Sequence, residues 1–253
     1  MKKIEDLGTW QTLRTAIPTS TALGFVPTMG NLHQGHASLI QSCRQNNDCT
    51  VVSLFVNPTQ FNQRADYTHY PRTLEADLAL LRSLKVDYCF MPNEKTMYSD
   101  EYHYQVQENH IATRLEGLHR PGHFNGVLSV VMKLFNIIRP QRAYFGEKDF
   151  QQYQIIQGMV NAFFMPIDII PCPTVREASG LACSSRNQRL NPQQRQIAEQ
   201  FAKIFQQKSQ SITQLRKELN HLPIEIEYLE EEQGRRFVAI IIDDIRLIDN
   251  YTL

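Results

Sequence analysis

Residues 50–56 read Thr-Val-Val-Ser-Leu-Phe-Val, an almost unbroken run of β-branched and apolar side chains. A strand with one wet face alternates apolar and polar residues. A continuous run of this kind belongs to a strand buried on both faces, as in a parallel sheet covered by helices. The neighbouring segments agree. Residues 22–26, 86–91, 142–145 and 167–170 are further apolar runs of strand length, and longer amphipathic stretches at 36–46, 73–84, 126–138 and 149–163 lie between them. Within 73–84 the apolar residues fall at 74, 78, 80, 81 and 84, one face of a helix. Pro92 ends one strand, Pro140 ends the 126–138 helix, and Pro171 and Pro173 follow the last strand. Strand and helix alternating in this way predict an α/β fold, a Rossmann-like parallel sheet wound by right-handed crossovers.

After about residue 176 the texture changes. Residues 191–207 and 212–219 read as helices rich in Gln, Lys and Arg, and two strands are expected at 224–229 and 236–242, joined by Glu232-Gln233-Gly234. The expected division is a large domain of residues 1–175 and a small α+β domain of residues 176–253. Lys plus Arg (26) equals Asp plus Glu (26), so bulk charge offers nothing to a nucleic acid or an acidic membrane. No apolar run approaches the ~20 residues that span a bilayer, and Met1–Asp6 lacks the apolar core of a signal peptide. The five cysteines show no close pairing, which argues against a disulfide framework or a zinc knuckle. A reduced, cytoplasmic protein is expected, with no nucleic-acid or membrane partner.

The segment most suited to chemistry is Pro27-Thr28-Met29-Gly30-Asn31-Leu32-His33-Gln34-Gly35-His36, set between the 22–26 strand and an amphipathic stretch. Strand, glycine turn and helix start put two imidazoles where backbone N–H groups and a positive helix end already favour anions. His33 and His36 could also form a helical metal pair, but no third ligand or HExxH glutamate accompanies them. Gly35 costs about 1 kcal/mol relative to alanine inside a helix. Its presence suggests a group lying close against the backbone, and an adenine ring on that first turn would account for it.

That run resembles the histidine–glycine–histidine signature of the nucleotidylyltransferase superfamily in the form carried by the pantothenate synthetases. The resemblance continues in Val52-Ser53-Leu54-Phe55-Val56-Asn57-Pro58-Thr59-Gln60-Phe61, Tyr70-Pro71-Arg72-Thr73 and Arg120-Pro121-Gly122-His123-Phe124-Asn125-Gly126-Val127. It resumes in Phe145-Gly146-Glu147-Lys148-Asp149-Phe150-Gln151-Gln152, Gly180-Leu181-Ala182-Cys183-Ser184-Ser185-Arg186-Asn187 and Arg246-Leu247-Ile248-Asp249-Asn250.

The resemblance implies ATP-dependent joining of (R)-pantoate to β-alanine through a pantoyl adenylate, releasing AMP and pyrophosphate. It implies that Met29, Gly30, Asn31, Leu32, His33, Gln34, Gly35 and His36 cradle ATP, with His36 as proton donor and charge stabiliser beside His33. Gly146, Glu147, Lys148 and Asp149 would bind ATP as well, Lys148 reaching the phosphates and Asp149 the ribose side. Val175 would contact adenine through its backbone. Cys183, Ser184, Ser185 and Arg186 would close over the triphosphate. Gln60 and Gln152 are assigned to pantoate, Gln60 also to β-alanine; neutral amides can hold a carboxylate and hydroxyls without adding a competing charge. Mg²⁺ is implied with ATP, Asp77 lying near it through water. Arg120 and His123 are expected to steer phosphate or product, and a homodimer is implied.

Three residues or segments depart from the family pattern. Ser179 stands where an aspartate is common, Cys183 replaces a leucine or methionine, and the C-terminal part has a tight turn where relatives carry a longer loop. Three other readings compete: a nucleotidylyltransferase that moves AMP to a phosphate acceptor, a non-catalytic nucleotide sensor, and a tRNA-charging fragment, for which the sequence shows no basic stripe. The first should line its acceptor pocket with cations where Gln60 and Gln152 stand. The second has no need of His33, His36, Lys148, Asp149, Ser184 and Arg186 together.

Overall fold

The structure is a computed structural model that describes residues 1–62 and 64–253. To residue 172 the chain runs β1 (Lys2–Ile4), α1 (Leu7–Ala16), β2 (Leu23–Thr28), α2 (Gln34–Asn46), β3 (Cys49–Leu54), α3 (Arg64–Thr68), α4 (Leu74–Ser83) and β4 (Tyr88–Phe90). It continues with α5 (Glu94–Met97), α6 (Glu116–His119), α7 (His123–Ile138), β5 (Arg142–Gly146), α8 (Phe150–Ala162) and β6 (Asp168–Cys172). The remainder holds α9 (Pro192–Phe205), α10 (Ile212–Leu219), β7 (Glu225–Glu232), β8 (Arg235–Ile242) and β9 (Ile245–Thr252). By packing, one compact unit comprises Met1–Leu32, His36–Glu147 and Gln151–Cys172; the other comprises His33–Gly35, Lys148–Phe150 and Pro173–Leu253.

The first unit is built on a six-stranded sheet in the order β1-β4-β3-β2-β5-β6, and every pair is parallel. Strand side chains alternate between faces, so adjacent residues enter different cores. Phe25, Val51, Phe90 and Phe145 join one apolar cluster with Trp10, Leu128, Phe135 and Ile155. Val26, Val52, Cys89 and Tyr144 join the other with Ile40, Cys43, Leu78 and Leu81. Helices therefore cover both faces, which is why the β3 sequence shows no polar alternation. Helix α7 is apolar almost all round and eleven of its residues are buried.

Of the two prolines expected to follow the last strand, Pro173 does so and Pro171 requires correction. Pro171 lies inside β6, in register with Phe145. β6 is an edge strand, where a missing N–H breaks no ladder bond on the outer side. Six elements go beyond the sequence expectation: β1, α1, the short helices α3, α5 and α6, and β9. β1 has only three residues and α1 only ten; α1 is capped by Asp6, which accepts from the Thr9 N–H at 2.7 Å, and is anchored by the Trp10 indole donating to Ile137 O at 2.7 Å. β9 completes the second sheet.

The second unit carries that antiparallel sheet, β7-β8-β9, with β8 central and buried. Its two hairpin turns are two residues long. Gln233 and Gly234 both have positive φ (50° and 72°), the pairing that matches strand twist in a tight hairpin. Phe201, Phe205, Leu215, Leu219, Val238, Ile240 and Leu247 form its core, so α9 and α10 bury their apolar faces on the sheet.

Candidate active site

In a parallel α/β sheet, ligands bind beyond the carboxyl ends of the strands, where neighbouring crossovers diverge. Here that point is β2, which pairs with β3 on one side and β5 on the other. Thr28 is level with Leu54, so the chain leaving β2 and the chain leaving β3 emerge side by side.

The chain after β2 turns through two left-handed residues, Gly30 (φ 80°) and Asn31 (φ 49°). A Cβ at residue 30 would lie 3.1 Å from Asp77 Oδ2, so glycine serves both the backbone angle and the close approach. Asp77 is buried on α4. One oxygen accepts the Asn31 N–H at 2.9 Å and the other the Leu32 N–H at 2.7 Å, while the Thr73 hydroxyl donates to it at 3.2 Å. Asp77, expected near a metal through water, has both oxygens engaged in shaping the loop. Among the described residues no group of three or more His, Cys, Asp or Glu side chains is arranged to hold a metal.

Beyond β3, residues 58–60 form a short 3₁₀ turn. The Gln60 amide nitrogen lies 3.2 Å from Met29 Sδ, so the loops after β2 and β3 meet at these residues. The carbonyl of Gln60 accepts from His123 Nδ1 at 2.8 Å and from Arg120 at 3.4 Å, and Arg120 Nη1 is 3.1 Å from His123 Nε2. Arg120 and His123, expected to steer phosphate or product, hold the Gln60 backbone in this structure. Gln152 is half-buried in the first turn of α8. Its neighbour Gln151 is buried, accepts the Glu116 N–H at 3.0 Å and donates to the carbonyls of Ile111 and Arg114. Gln151 and Asn57, which donates to the Gln60 side chain at 3.0 Å, are support residues that sequence reasoning misses. Both sit in the quoted motifs, and only their burial would have marked them. His36 is the third residue of α2 and half-buried.

In the second unit, His33 Nδ1 accepts the Gly35 N–H at 3.1 Å. A backbone N–H can only donate, so the ring proton is on Nε2 and the imidazole is a neutral donor. Burial, reinforced by the Lys148 ammonium, holds its pKa down at about 4, against an ordinary 6.5. A Cβ at residue 35 would sit 2.9 Å from His33 Cε1 and 3.0 Å from Nδ1. The glycine expected to make room for an adenine ring makes room first for the ring of His33.

Lys148 and Asp149 lie in a 3₁₀ turn between β5 and α8, not in the helix proper; the Lys148 ammonium is 3.4 Å from Asp149 Oδ1. Asn250 donates to the Lys148 carbonyl at 2.8 Å. Next to it the buried carboxylate of Asp249 pairs with both Arg176 nitrogens at 2.6 and 2.9 Å. Arg176 begins a tight loop in which Cys183 N–H donates to Val175 O at 2.9 Å, and Gly180 (φ 91°) turns the chain with its carbonyl held by Gln206 at 2.6 Å. Ser179 sits in that turn with its hydroxyl oxygen buried and without a hydrogen-bond partner among the described residues. Burial pushes the Cys183 thiol pKa up, which keeps it protonated. Ser184 caps the 3₁₀ turn Ser185–Arg189 by accepting from the Arg186 N–H at 3.3 Å.

A doubly covered parallel sheet, with its loop chemistry concentrated after β2, β3 and β5, defines an α/β protein of nucleotide-binding architecture. The chain belongs to the pantoate–β-alanine ligase family: the family model described as Pantoate-beta-alanine ligase matches residues 1–252. It is 60% identical over 253 residues to a pantothenate synthetase of Legionella pneumophila (strain Corby), covering 100% of both chains. It is 52% identical over 231 residues to that of Bdellovibrio bacteriovorus, covering 91% and 92% of the two chains. Among solved structures it resembles the pantoate-beta-alanine ligase of Francisella tularensis, crystallised with beta-gamma ATP and beta-alanine. That match has a TM-score of 0.95 and 41% identity, and covers 100% of this chain and 97% of the other. The pantothenate synthetase of Thermus thermophilus matches with a TM-score of 0.91 and 38% identity, over 100% and 99% of the two chains.

Proposed function

We propose that this chain carries out its family's reaction, ATP-dependent condensation of pantoate with β-alanine, in two half-reactions. First a pantoate carboxylate oxygen attacks the α-phosphorus of ATP, the bond to the bridging oxygen breaks, and pyrophosphate leaves. The amine of β-alanine then attacks the acyl carbon of pantoyl adenylate. The acyl–oxygen bond breaks, AMP leaves, and the amine proton passes to solvent. Each half-reaction thereby has a good leaving group. The observation that carries this reading is the match of the family model to almost the whole chain, including every segment that bears a candidate site residue.

Charge grows on the α-phosphate oxygens during the first step, so fixed donors aimed there lower the barrier most. His36 is assigned that task, as proton donor and charge stabiliser. His33, neutral with its proton on Nε2, adds a hydrogen-bond donor without a competing charge. Lys148 and Arg186 neutralise the phosphates and Asp149 takes the ribose. Met29, Gly30, Asn31, Leu32, Gln34, Gly35, Gly146, Glu147, Val175, Cys183, Ser184 and Ser185 complete the ATP contacts. Gln60 and Gln152 hold pantoate, with Gln60 also reaching β-alanine. Residues 1–175 act as the nucleotide- and pantoate-binding domain, and residues 176–253 act as the lid that keeps water from the adenylate.

Mg²⁺ is assigned to the substrate, arriving as MgATP. Magnesium retains several waters and binds through phosphates with one or two carboxylates, a mode that needs no all-protein cage. The protein is assigned to the cytoplasm as a homodimer. The test is pantoate-dependent exchange of labelled pyrophosphate into ATP with β-alanine absent. Exchange is expected; folded protein that makes pantothenate without exchanging label would refute the adenylate route.

A further inference from the structure

The Gln60 side chain can present either its carbonyl or its amide group to a ligand, and the two would select opposite chemistry. The surrounding hydrogen bonds decide between them. Asn57, in the same loop and buried, has its Nδ2 3.1 Å from the carbonyl oxygen of Gly126 in α7. A backbone carbonyl only accepts, so Asn57 must face it with its NH₂. The second hydrogen of that NH₂ is aimed at Gln60, 3.0 Å away, which must therefore answer with Oε1. Asn57 Oδ1 in turn accepts from the Tyr98 hydroxyl at 2.5 Å and from the Thr59 hydroxyl at 3.0 Å. Tyr98 is buried at the end of α5, and burial pushes its pKa up to about 12, so its hydroxyl stays a donor. The two amides are thereby satisfied in one sense only, while the Thr59 and Tyr98 hydroxyls also lie 3.0 Å apart, where either can donate, so at least one of them is free to donate to Asn57. The amide group of Gln60 is left as the donor end, its contact in the structure being the thioether of Met29, a weak acceptor, at 3.2 Å.

We propose that Tyr98, with Thr59, is a positioning residue for substrate recognition. Through Asn57 it fixes Gln60 so that a donor, not an acceptor, meets the carboxylate and hydroxyls of pantoate. The proposal rests on the assignment of Gln60 to pantoate made above. It adds residues that touch no substrate, and it adds the polarity of the contact.

The experiment is steady-state kinetics of pantothenate formation for Tyr98→Phe, Thr59→Val, Gln60→Ala and Gln60→Glu, together with the double variant Tyr98→Phe/Gln60→Ala. Removing one donor from the Asn57 carbonyl should raise KM for pantoate about tenfold, the scale of one lost hydrogen bond in a buried network. The kcat and the KM for ATP should remain within about twofold, since the loss falls on ground-state and transition-state binding alike. In the Gln60→Ala background the Tyr98→Phe effect should vanish, because the group being oriented is gone. Gln60→Glu should bind pantoate more weakly than Gln60→Ala, because it sets an acceptor where a donor is needed. Should Tyr98→Phe fail to fold, Thr59→Val, which keeps the β-branched shape, carries the same test.

An effect of Tyr98→Phe that persists undiminished without Gln60, or that lowers kcat and ATP affinity together, would overturn the relay in favour of general packing. Gln60→Glu equal to wild type would overturn the polarity. If Gln60→Ala raises KM for pantoate and neither Tyr98→Phe nor Thr59→Val does, only the relay fails. If Gln60→Ala leaves that KM unchanged, the pantoate assignment itself fails, and the relay with it.

Discussion

Asp77→Asn separates two roles for a buried carboxylate, holding a loop and holding a metal. Asp77 accepts the N–H groups of Asn31 and Leu32 at 2.9 and 2.7 Å, one on each oxygen. Hydrogen bonds to a charged acceptor contribute roughly 1.5–3 kcal/mol each. Asparagine keeps one acceptor and turns the other position into an NH₂ that faces an N–H, so one bond is lost and two donors oppose each other. The expected loss is about 2–3 kcal/mol, which for a chain of this size lowers Tm by roughly 5–10 °C. Urea titration should show the midpoint falling with an unchanged slope, the signature of altered stability without altered compactness. Catalysis should fall too, because Gly30, Asn31 and Leu32 move together. Its dependence on Mg²⁺ concentration should keep the wild-type midpoint. Unchanged stability with a Mg²⁺ requirement shifted about tenfold or more would refute the loop role and return Asp77 to the metal.

Three further outcomes follow from the site. His36→Ala should slow pantoate-dependent exchange by roughly two or more orders of magnitude, the effect of losing one oxyanion-type donor, and near wild-type exchange would remove His36 from that role. His33 should contribute to acid stability. Its folded pKa of about 4 lies below the ordinary 6.5, so as pH falls the unfolded chain takes up the proton first. The contribution is fully present above about pH 6.5 and is lost between there and pH 4, at most about 3 kcal/mol. It is measured as the difference between wild type and His33→Gln in urea titrations from pH 7 to 4.5; a difference that does not narrow on acidification would contradict it. Gly35→Ala should displace the His33 ring, since the new methyl carbon would sit 2.9 Å from Cε1. Exchange activity should drop about tenfold or more with stability changed by about 1 kcal/mol or less, and full activity would show the ring to be unimportant.

The central strands were legible because burial on both faces leaves a mark that survives in one sequence. β2, β3 and β5 are apolar in consecutive residues, as a sheet with helices on both sides requires. Elements whose identity depends on a distant partner were not. β1 has only Ile4 buried, so its pairing with β4 leaves almost no pattern. Pro171 reads locally as a terminator, and only the strand order shows that it occupies an outer edge. β9 follows β8 through Asp243-Asp244, a turn in which a non-glycine residue takes φ 53°, and so lacks the glycine that marked the turn before it.

The candidate site divides along the same line, and the division has a physical cause. Residue types with few substitutes at a turn, such as Gly30 with its left-handed backbone or the histidines at a helix start, announce themselves in the chain. Support residues do not. Asn57, Tyr98, Asp77 and Gln151 are ordinary polar side chains whose importance lies in burial and in partners 35 to 69 residues away in sequence. Gly35 carries the sharper lesson. A glycine beside a histidine invites a ligand-based reading, yet its Cβ space is taken by that histidine's own imidazole, held there by the Gly35 N–H. The Gly35 N–H thereby fixes the tautomer, while burial and Lys148 hold His33 neutral. In a site whose substrate is highly anionic, this neutrality is informative. On the roles proposed above, a neutral His33 would serve as a directional donor, while His36, Lys148 and Arg186 would supply the charge.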